Sequence, residues 1–330
     1  MSRRILILDN SMRSFENFRR STFEEITQRL GIGYKIHAPI KMNYFWLTVV
    51  RFMEDLFCKR NQVVVLITIP SIVLTPICFL FAKKLILFFP GLGRTFRGSS
   101  HKLFHKFLRV YLTFCVKLSS NVVVLNKADK IALGNYPKII ILHSEGLELN
   151  KRCKVNQKKS FKNLSFVGRP IRDKGFEAFL DEVEFRNNPN FTYNFFGDGF
   201  EDVELRRRSA KLENTTQNYI VHGYCEKSKI WSNTDVLFFP SVYGEGFPFV
   251  VLEALRNGCH VFLKHSHWTE HLPRVDAIVF EDDRRFDEYI AEVNVESASD
   301  QSSILISKYL LVFHDISTVT VPFWIGILSD

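Results

Sequence analysis

Six cysteines (Cys58, Cys78, Cys115, Cys153, Cys225 and Cys259) are scattered through 330 residues without any metal-ligand spacing, which excludes a zinc ribbon or finger. No secretory signal pattern opens the sequence, so these thiols are expected to be reduced and cytosolic. Helix-turn-helix, zinc-finger and aromatic RNA-binding signatures are missing, so nucleic acid is not the expected partner. His265, His267 and His271 lie near one another but no carboxylate cluster joins them, a poor start for a metal site. Charges are absent from the twenty residues Val63 to Ala82, long enough to span a bilayer. Pro70 and Pro76 interrupt that run and Val63 to Thr68 is β-branched, so strand, helix, strand is the better reading.

What is present is an ordinary globular composition, 46% hydrophobic and 24% charged, in a chain long enough for two cores. The net charge of +9 points to an anionic partner such as a membrane surface or a nucleotide-sugar. Strand-like and helix-like segments alternate. Arg4 to Leu8, Tyr34 to His37, Leu85 to Phe89, Val122 to Leu125 and Ile139 to Leu142 read as strands, with a helix near Ser21 to Leu30. That alternation predicts an α/β fold with a parallel sheet covered on both faces.

The segment Pro240 to Ala254 carries the most chemistry. Glu245 sits between Gly244 and Gly246, and Glu253 follows eight positions later inside an apolar, helix-like run. A glycine-flanked loop entering a helix offers backbone N–H groups at the positive end of the helix dipole, which suits a phosphate. A carboxylate two turns on can accept hydrogen bonds from sugar hydroxyls. The bland alternative, acids serving only the dipole, has about even weight on this segment alone. Upstream, the strand-like Leu164 to Val167 runs into Gly168-Arg169-Pro170-Ile171-Arg172-Asp173-Lys174-Gly175. Two cations five positions apart at the end of a parallel strand are well placed to clamp a diphosphate.

Taken with Phe195-Phe196-Gly197-Asp198-Gly199, Tyr219 to Tyr224 and Asn233 to Ser241, these motifs make the chain resemble family 4 glycosyltransferases, and among them a subset that builds bacterial surface polysaccharides. The resemblance covers most of Phe161 to Asp283 and is weaker before it, where Thr68-Ile69-Pro70 and Pro90-Gly91-Leu92-Gly93 carry it. It implies a GT-B fold, with two Rossmann-like, doubly wound parallel-sheet domains facing a cleft. Residues 1–155 would bind the acceptor and 156–310 the nucleotide-sugar, with 311–330 docking back on the first domain. Val319 to Val321 makes one continuous terminal helix uncertain.

The implied activity is transfer of a hexose from a nucleotide-sugar, UDP- or GDP-linked, to a hydroxyl of a lipid-linked saccharide in O-antigen or capsule synthesis, with retention at the anomeric carbon. Arg169 and Lys174 would neutralise the diphosphate and Glu245 would contact the transferred sugar. Gly168, Gly197, Gly246, Phe247 and Phe249 would line the donor, Tyr224 the base, and Glu253 the ribose. No metal and no further cofactor is implied, since no Asp-x-Asp stands where it would bridge a metal to a diphosphate. One departure is the turn after Lys264, where His265, His267 and Trp268 replace the small residues the family commonly shows.

Between Ser100 and Leu118, apolar and aromatic residues recur at helical spacing, with Lys102, His105, Lys106 and Arg109 assigned to another face and Arg94 and Arg97 just upstream. A basic amphipathic helix of this kind suits either a core-facing helix or an anionic membrane. The resemblance favours the membrane, hence a cytoplasmic enzyme peripheral at the inner face of the cell membrane, with Arg94, Arg97, Lys102, Lys106 and Arg109 as its acceptor or membrane face. Two other readings stand beside it: a GT-B sugar-nucleotide epimerase, and a catalytically silent glycosyltransferase-like assembly subunit.

Overall fold

The structure, a computed structural model, describes residues 4–9, 13–38, 45–58, 62–92, 103–143, 161–186, 188–241, 246–265, 269, 272, 277–280 and 300–329. The chain divides into two compact units. Unit 1 comprises Met1–Glu148, Gly244–Phe247 and Val312–Asp330, and unit 2 comprises Leu149–Tyr243 and Pro248–Leu311.

Unit 1 is built on a parallel sheet of six strands. These are β1 (Arg4–Asp9), β2 (Gly33–His37), β3 (Val63–Ile67), β4 (Lys84–Phe89), β5 (Asn121–Val124) and β6 (Ile139–Ile141), in the order β2-β1-β3-β4-β5-β6. The central strands are apolar on both faces, as a doubly covered parallel sheet requires. Leu6, Leu8, Val64, Leu66, Leu85 and Leu87 face one core. Packed against that side are α2 (Phe45–Cys58), α3 (Ile69–Ile72), α4 (Thr75–Phe81) and α5 (Leu103–Leu118), through Phe52, Leu56, Ile72, Cys78, Leu112 and Cys115 among others. α1 (Arg13–Leu30) and α12 (Val321–Ser329) pack on each other, and the Trp324 ring lies 5.4 Å from that of Phe23 and 5.7 Å from that of Phe88. Lys84 Nζ donates to the Ile327 carbonyl at 2.6 Å. A π turn, Ile316–Thr320, separates α12 from α11 (Asp300–His314). The β-branched stretch that argues against one continuous helix is where the helix changes its winding.

The uncharged run thus resolves into β3, α3 and α4. Pro70 and Pro76 sit in the first turns of the two short helices, where a missing N–H costs nothing. Among the described residues no helix is long and apolar enough to cross a membrane. Helix α2 was not legible in the sequence, and α1 starts at Arg13, before the expected Ser21.

Unit 2 holds the second six-stranded parallel sheet. Its strands are β7 (Asn163–Val167), β8 (Thr192–Phe196), β9 (Tyr219–Gly223), β10 (Val236–Phe239), β11 (His260–Leu263) and β12 (Ile278–Phe280), in the order β12-β11-β10-β7-β8-β9. The helices α7 (Phe176–Arg186), α8 (Val203–Thr215), α9 (Lys227–Ser232) and α10 (Phe249–Arg256) connect them. The phenylalanine content has a structural outlet here. Phe166, Phe176, Phe179 and Phe195 form one buried ring cluster, with the Phe176 and Phe195 centroids 4.6 Å apart. Buried Asp235 fixes the register where β10 begins beside β7. Its Oδ2 accepts from the backbone N–H of Lys162 at 3.0 Å and from the backbone and side-chain N–H of Asn163, both at 2.9 Å.

Candidate functional site

Strand order points to a candidate site in unit 2. From β7 the chain moves outward through β8 and β9, then returns to place β10 on the other side of β7 and continues through β11 to β12. The reversal lies between β7 and β10, and ligands of open parallel sheets bind outside the carboxyl ends of the strands at such a point. The segments that leave those ends are Gly168–Gly175 after β7 and Pro240–Ser241 after β10.

The two segments touch. A 3-10 turn, Arg172–Lys174, closes on Gly175, whose φ of +77° lies in the left-handed region. A Cβ on Gly175 would lie 2.4 Å from Pro240 Cγ, so glycine is required both by conformation and by close approach. Ser241 Oγ donates to the Asp173 carbonyl at 3.3 Å. This packing sets the backbone of Lys174 beside the end of β10. Gly168 and Gly197 meet as well, because a Cβ on Gly197 would fall 2.0 Å from the Gly168 carbonyl oxygen. The Gly168 N–H donates to the Phe196 carbonyl and the Gly197 N–H to the Gly223 carbonyl, each at 2.9 Å. These bonds extend the ladders of β7, β8 and β9 into their exit loops.

Arg169 is exposed and pairs through Nη1 with Glu201 Oε1 at 3.0 Å. Arg172 is held by Asp202 and Glu177, each at 3.0 Å. The Asp202 hydrogen bond raises the guanidinium's pKa, and Arg172 lowers that of Asp202. Of these two arginines, Arg172 is tied to two carboxylates as a brace, while Arg169 pairs with the exposed Glu201. Tyr224 follows β9 and is largely exposed. Beside it, His222 stacks on Phe196 with centroids 4.4 Å apart and bonds Asn194 Oδ1 at 2.8 Å. Burial holds its pKa below the usual imidazole range.

Helix α10 starts at Phe249, with Pro248 in the N-cap position. Glu253 is mostly buried one turn in, and its carboxylate is engaged by the exposed Lys227 of α9. Lys227 has no periodic or motif signal in the sequence, and only the fold brings it to Glu253. Glu245 lies outside the described residues, as do Arg94, Arg97 and Lys102. Lys106 and Arg109 lie on α5, the first exposed and the second partly buried.

Gly246 and Phe247 belong to unit 1. A Cβ on Gly246 would lie 1.7 Å from the Pro90 carbonyl oxygen, and the Gly246 carbonyl accepts from Asn126 Nδ2 at 3.0 Å. Phe247 is buried with its ring 4.9 Å from that of His314. Asn126, at 0% exposure, also caps α6 (Lys127–Ala132) by accepting from the Asp129 N–H at 2.8 Å. Sequence reading missed Asn126, although Asn126-x-x-Asp129 after a strand is a recognisable helix-start pattern. It also missed Thr68, which follows β3 with φ +71° and whose buried Oγ1 has no hydrogen-bond partner among the described residues. A β-branched residue in that region is strained. No group of three His, Cys, Asp or Glu side chains among the described residues is arranged to hold a metal.

Comparison with known proteins adds to this geometry. Residues 161–293 match the family model described as glycosyl transferases group 1. A protein of the capsule (cps) region of Klebsiella pneumoniae, described as an uncharacterized 41.2 kDa protein, is 29% identical over 130 residues. That match covers 38% of this chain and 34% of the relative, so it spans about a third of the relative's length. HepE from Anabaena, solved in complex with UDP, superposes with a TM-score of 0.71 at 14% identity, covering 100% of both chains. The lipopolysaccharide outer core galactosyltransferase WaaB superposes with a TM-score of 0.65 at 15% identity, covering 99% of each. The fold is GT-B. At these identities the superpositions speak for fold alone, while the group 1 domain match falls on unit 2 apart from Gly244–Phe247, and includes the segments that meet at the switch point.

Proposed function

We propose that the protein is a retaining glycosyltransferase that moves a hexose from a nucleotide-sugar to a hydroxyl of a lipid-linked saccharide during assembly of a surface polysaccharide. The observation that carries this reading is the meeting of the Gly168–Gly175 turn with Pro240–Ser241 at the switch point of a sheet whose sequence matches a group 1 glycosyltransferase domain. UDP is the favoured nucleotide, because HepE is solved with it. A surface polysaccharide is favoured because the Klebsiella relative lies in a cps region and WaaB acts on lipopolysaccharide outer core.

In this reading the bond between the anomeric carbon and the diphosphate oxygen breaks while the acceptor hydroxyl bonds to that carbon from the same face and gives up its proton. Negative charge grows on the departing nucleotide. Arg169 and Lys174 stabilise it, an electrostatic role typical of the largest catalytic term. Arg169 exchanges Glu201 for the diphosphate. Gly168 and Gly197 let backbone approach the donor, Tyr224 borders the base, Glu253 takes the ribose hydroxyls in place of Lys227, and Glu245 takes the sugar. Gly246, Phe247 and Phe249 supply the backbone around the donor. The two cations make a metal unnecessary, and no cofactor beyond the donor is required. Residues 1–155 serve the acceptor and 156–310 the donor, at the cytoplasmic face of the membrane.

The test is nucleotide release from a panel of UDP-, GDP- and ADP-sugars, with and without membrane extract carrying lipid-linked sugars, for the wild type and Glu245→Ala. Release requiring one donor and the extract, and lost in the variant, is expected. Conversion of the donor without any acceptor would instead mark an epimerase. Absence of both release and calorimetric donor binding would mark a silent subunit.

A further inference from the structure

Thirteen of the twenty large apolar side chains that stand exposed among the described residues fall on α2, α4, α5 and the turn joining α3 to α4. For α5 the sequence left two readings, an apolar face against the core or a basic amphipathic helix on a membrane, and both assumed one apolar face. The helix is in fact apolar on both sides. Leu112, Cys115 and Val116 face the sheet, while Leu103, Phe107, Val110 and Phe114 form a second stripe at the same helical spacing, directed away from it. Lys106 and Lys117 flank the outer stripe, and both are exposed. Neighbouring helices continue the surface. The Phe57 ring of α2 meets Phe81 of α4 edge-on at 4.7 Å, and Tyr111 Oη of α5 donates to the Val73 carbonyl at 2.7 Å. Trp46 and Leu80 are each 73% exposed and Leu103 is 82% exposed. Clustering of exposed apolar side chains of this kind, rimmed by polar residues, marks an interaction surface.

Charge selects the occupant. From residue 56 to residue 128 the sequence has eleven lysines and arginines and no acidic residue. The acids just before that stretch, Glu54 and Asp55, line the cavity of about 540 Å³ beside β2, where Asp55 is held by Lys35 at 2.5 Å and His37 at 2.8 Å. A second copy of this chain would bring like charges together on this face, whereas an anionic bilayer offers hydrocarbon for the apolar stripe and headgroups for the lysines. We propose that the outer face of α2, α4 and α5 is a membrane-docking surface, inserting its apolar side chains at the headgroup–acyl boundary of an anionic bilayer. This rests on the membrane half of the function proposed above and is independent of the donor chemistry. It replaces attraction by one basic helix with insertion by three.

The test uses the full chain and vesicles of phosphatidylcholine with or without phosphatidylglycerol, the acyl chains brominated to quench tryptophan. Trp46 stands on the surface, and Trp46→Phe assigns the quenched signal. The expected result is binding that needs the anionic lipid, quenching that disappears in Trp46→Phe, and affinity reduced on the order of tenfold or more in Leu80→Asp/Phe107→Asp. Binding that vanishes completely at high salt, without Trp46 quenching, would overturn insertion. So would failure to bind anionic vesicles, or a concentration-dependent dimer abolished by the double substitution in place of vesicle binding. Should the double variant not fold, quenching of Trp46 in the wild type decides alone. UDP-sugar binding, followed separately by calorimetry, reports on the donor reading, so either can fail without the other.

Discussion

The side-chain amide of Asn126 donates to the main-chain carbonyl of Gly246 at 3.0 Å, and both residues lie in unit 1. The same buried side chain caps α6, so one residue fixes a helix start and the segment that carries Gly246. Asn126→Ala removes both bonds, together with the one the amide donates to Asp129 Oδ2 at 3.0 Å, and is expected to cost about 2–3 kcal/mol. Asn126→Asp keeps the cap acceptor but turns the donor facing Gly246 into a second acceptor. The difference between the two variants in chemical denaturation reports on the cap, while donor affinity of Asn126→Asp against the wild type reports on the amide's contacts to Gly246 and Asp129. Equal donor affinity in both variants and the wild type would show that these contacts do not shape the site.

Arg169 and Glu201 form an ion pair in water, so its loss has little bearing on stability. Glu201→Ala is expected to shift the unfolding midpoint by less than about 1 kcal/mol and to leave turnover intact. Arg169→Ala has the same small effect on folding but lowers kcat by on the order of a hundredfold, about 3 kcal/mol. Lys174→Ala follows it. Similar kcat values for wild type and Arg169→Ala would remove that arginine from the chemistry.

Gly175→Ala drives a methyl group into Pro240 at a backbone angle that alanine resists. The expected cost is about 2 kcal/mol or more, with a raised donor KM because the turn carrying Lys174 must move. Thermal melting and donor titration together check it, and unchanged donor KM would separate the turn from the donor site.

Thr68→Gly should act in the opposite direction. It relieves a left-handed β-branched residue, a strain of about 1–2 kcal/mol, set against the entropic cost of glycine. A raised melting temperature with lowered activity would mark Thr68 as strained for function. Lower stability would show that its conformation is well accommodated.

Stability should also fall with acid in a definable window. Burial pushes the His314 imidazole down to about 3, with His143 adding to the effect. Burial also lowers His37, against the opposing pull of Asp55, and His222. The unfolded chain binds these protons near pH 6.5, while folded His314 resists until about 3. Its contribution is complete above pH 6.5 and is lost progressively as pH falls toward 3. His314→Gln removes the titration, so the pH slope of the denaturation midpoint below 6.5 should flatten relative to the wild type. Parallel slopes would contradict the assignment.

The parallel sheets were legible because buried parallel strands are short β-branched runs, as at Ile139 to Ile141 and, once Pro70 and Pro76 argue against a membrane span, at Val63 to Ile67. The turn chemistry after β7 was legible too, since glycine and charge at a strand end are local signals. Helix α2 was passed over although Val49, Phe52 and Leu56 recur at helical spacing, because Trp46, Leu47, Val50 and Phe57 add apolar residues to its exposed side. In α5 one periodic pattern was read as a single apolar face, for the core or for a membrane, although two stripes share it. Contacts such as Lys227 with Glu253, or Asn126 with Gly246, join residues far apart in sequence. No local pattern announces them.

The placement of Trp324 sets an order of events during synthesis. Most of unit 1 precedes unit 2, yet its sheet is lined by a side chain that emerges from the ribosome more than three hundred residues after β1. Unit 2 has its sheet complete by residue 280. The first unit translated is therefore the second to close, and Phe23 and Phe88 stay uncovered by Trp324 until then. A nascent chain stalled before residue 312 should expose unit 1 to protease while β7 to β10 are already protected. Early protection of unit 1 would mean that its sheet holds without the helix that later covers it.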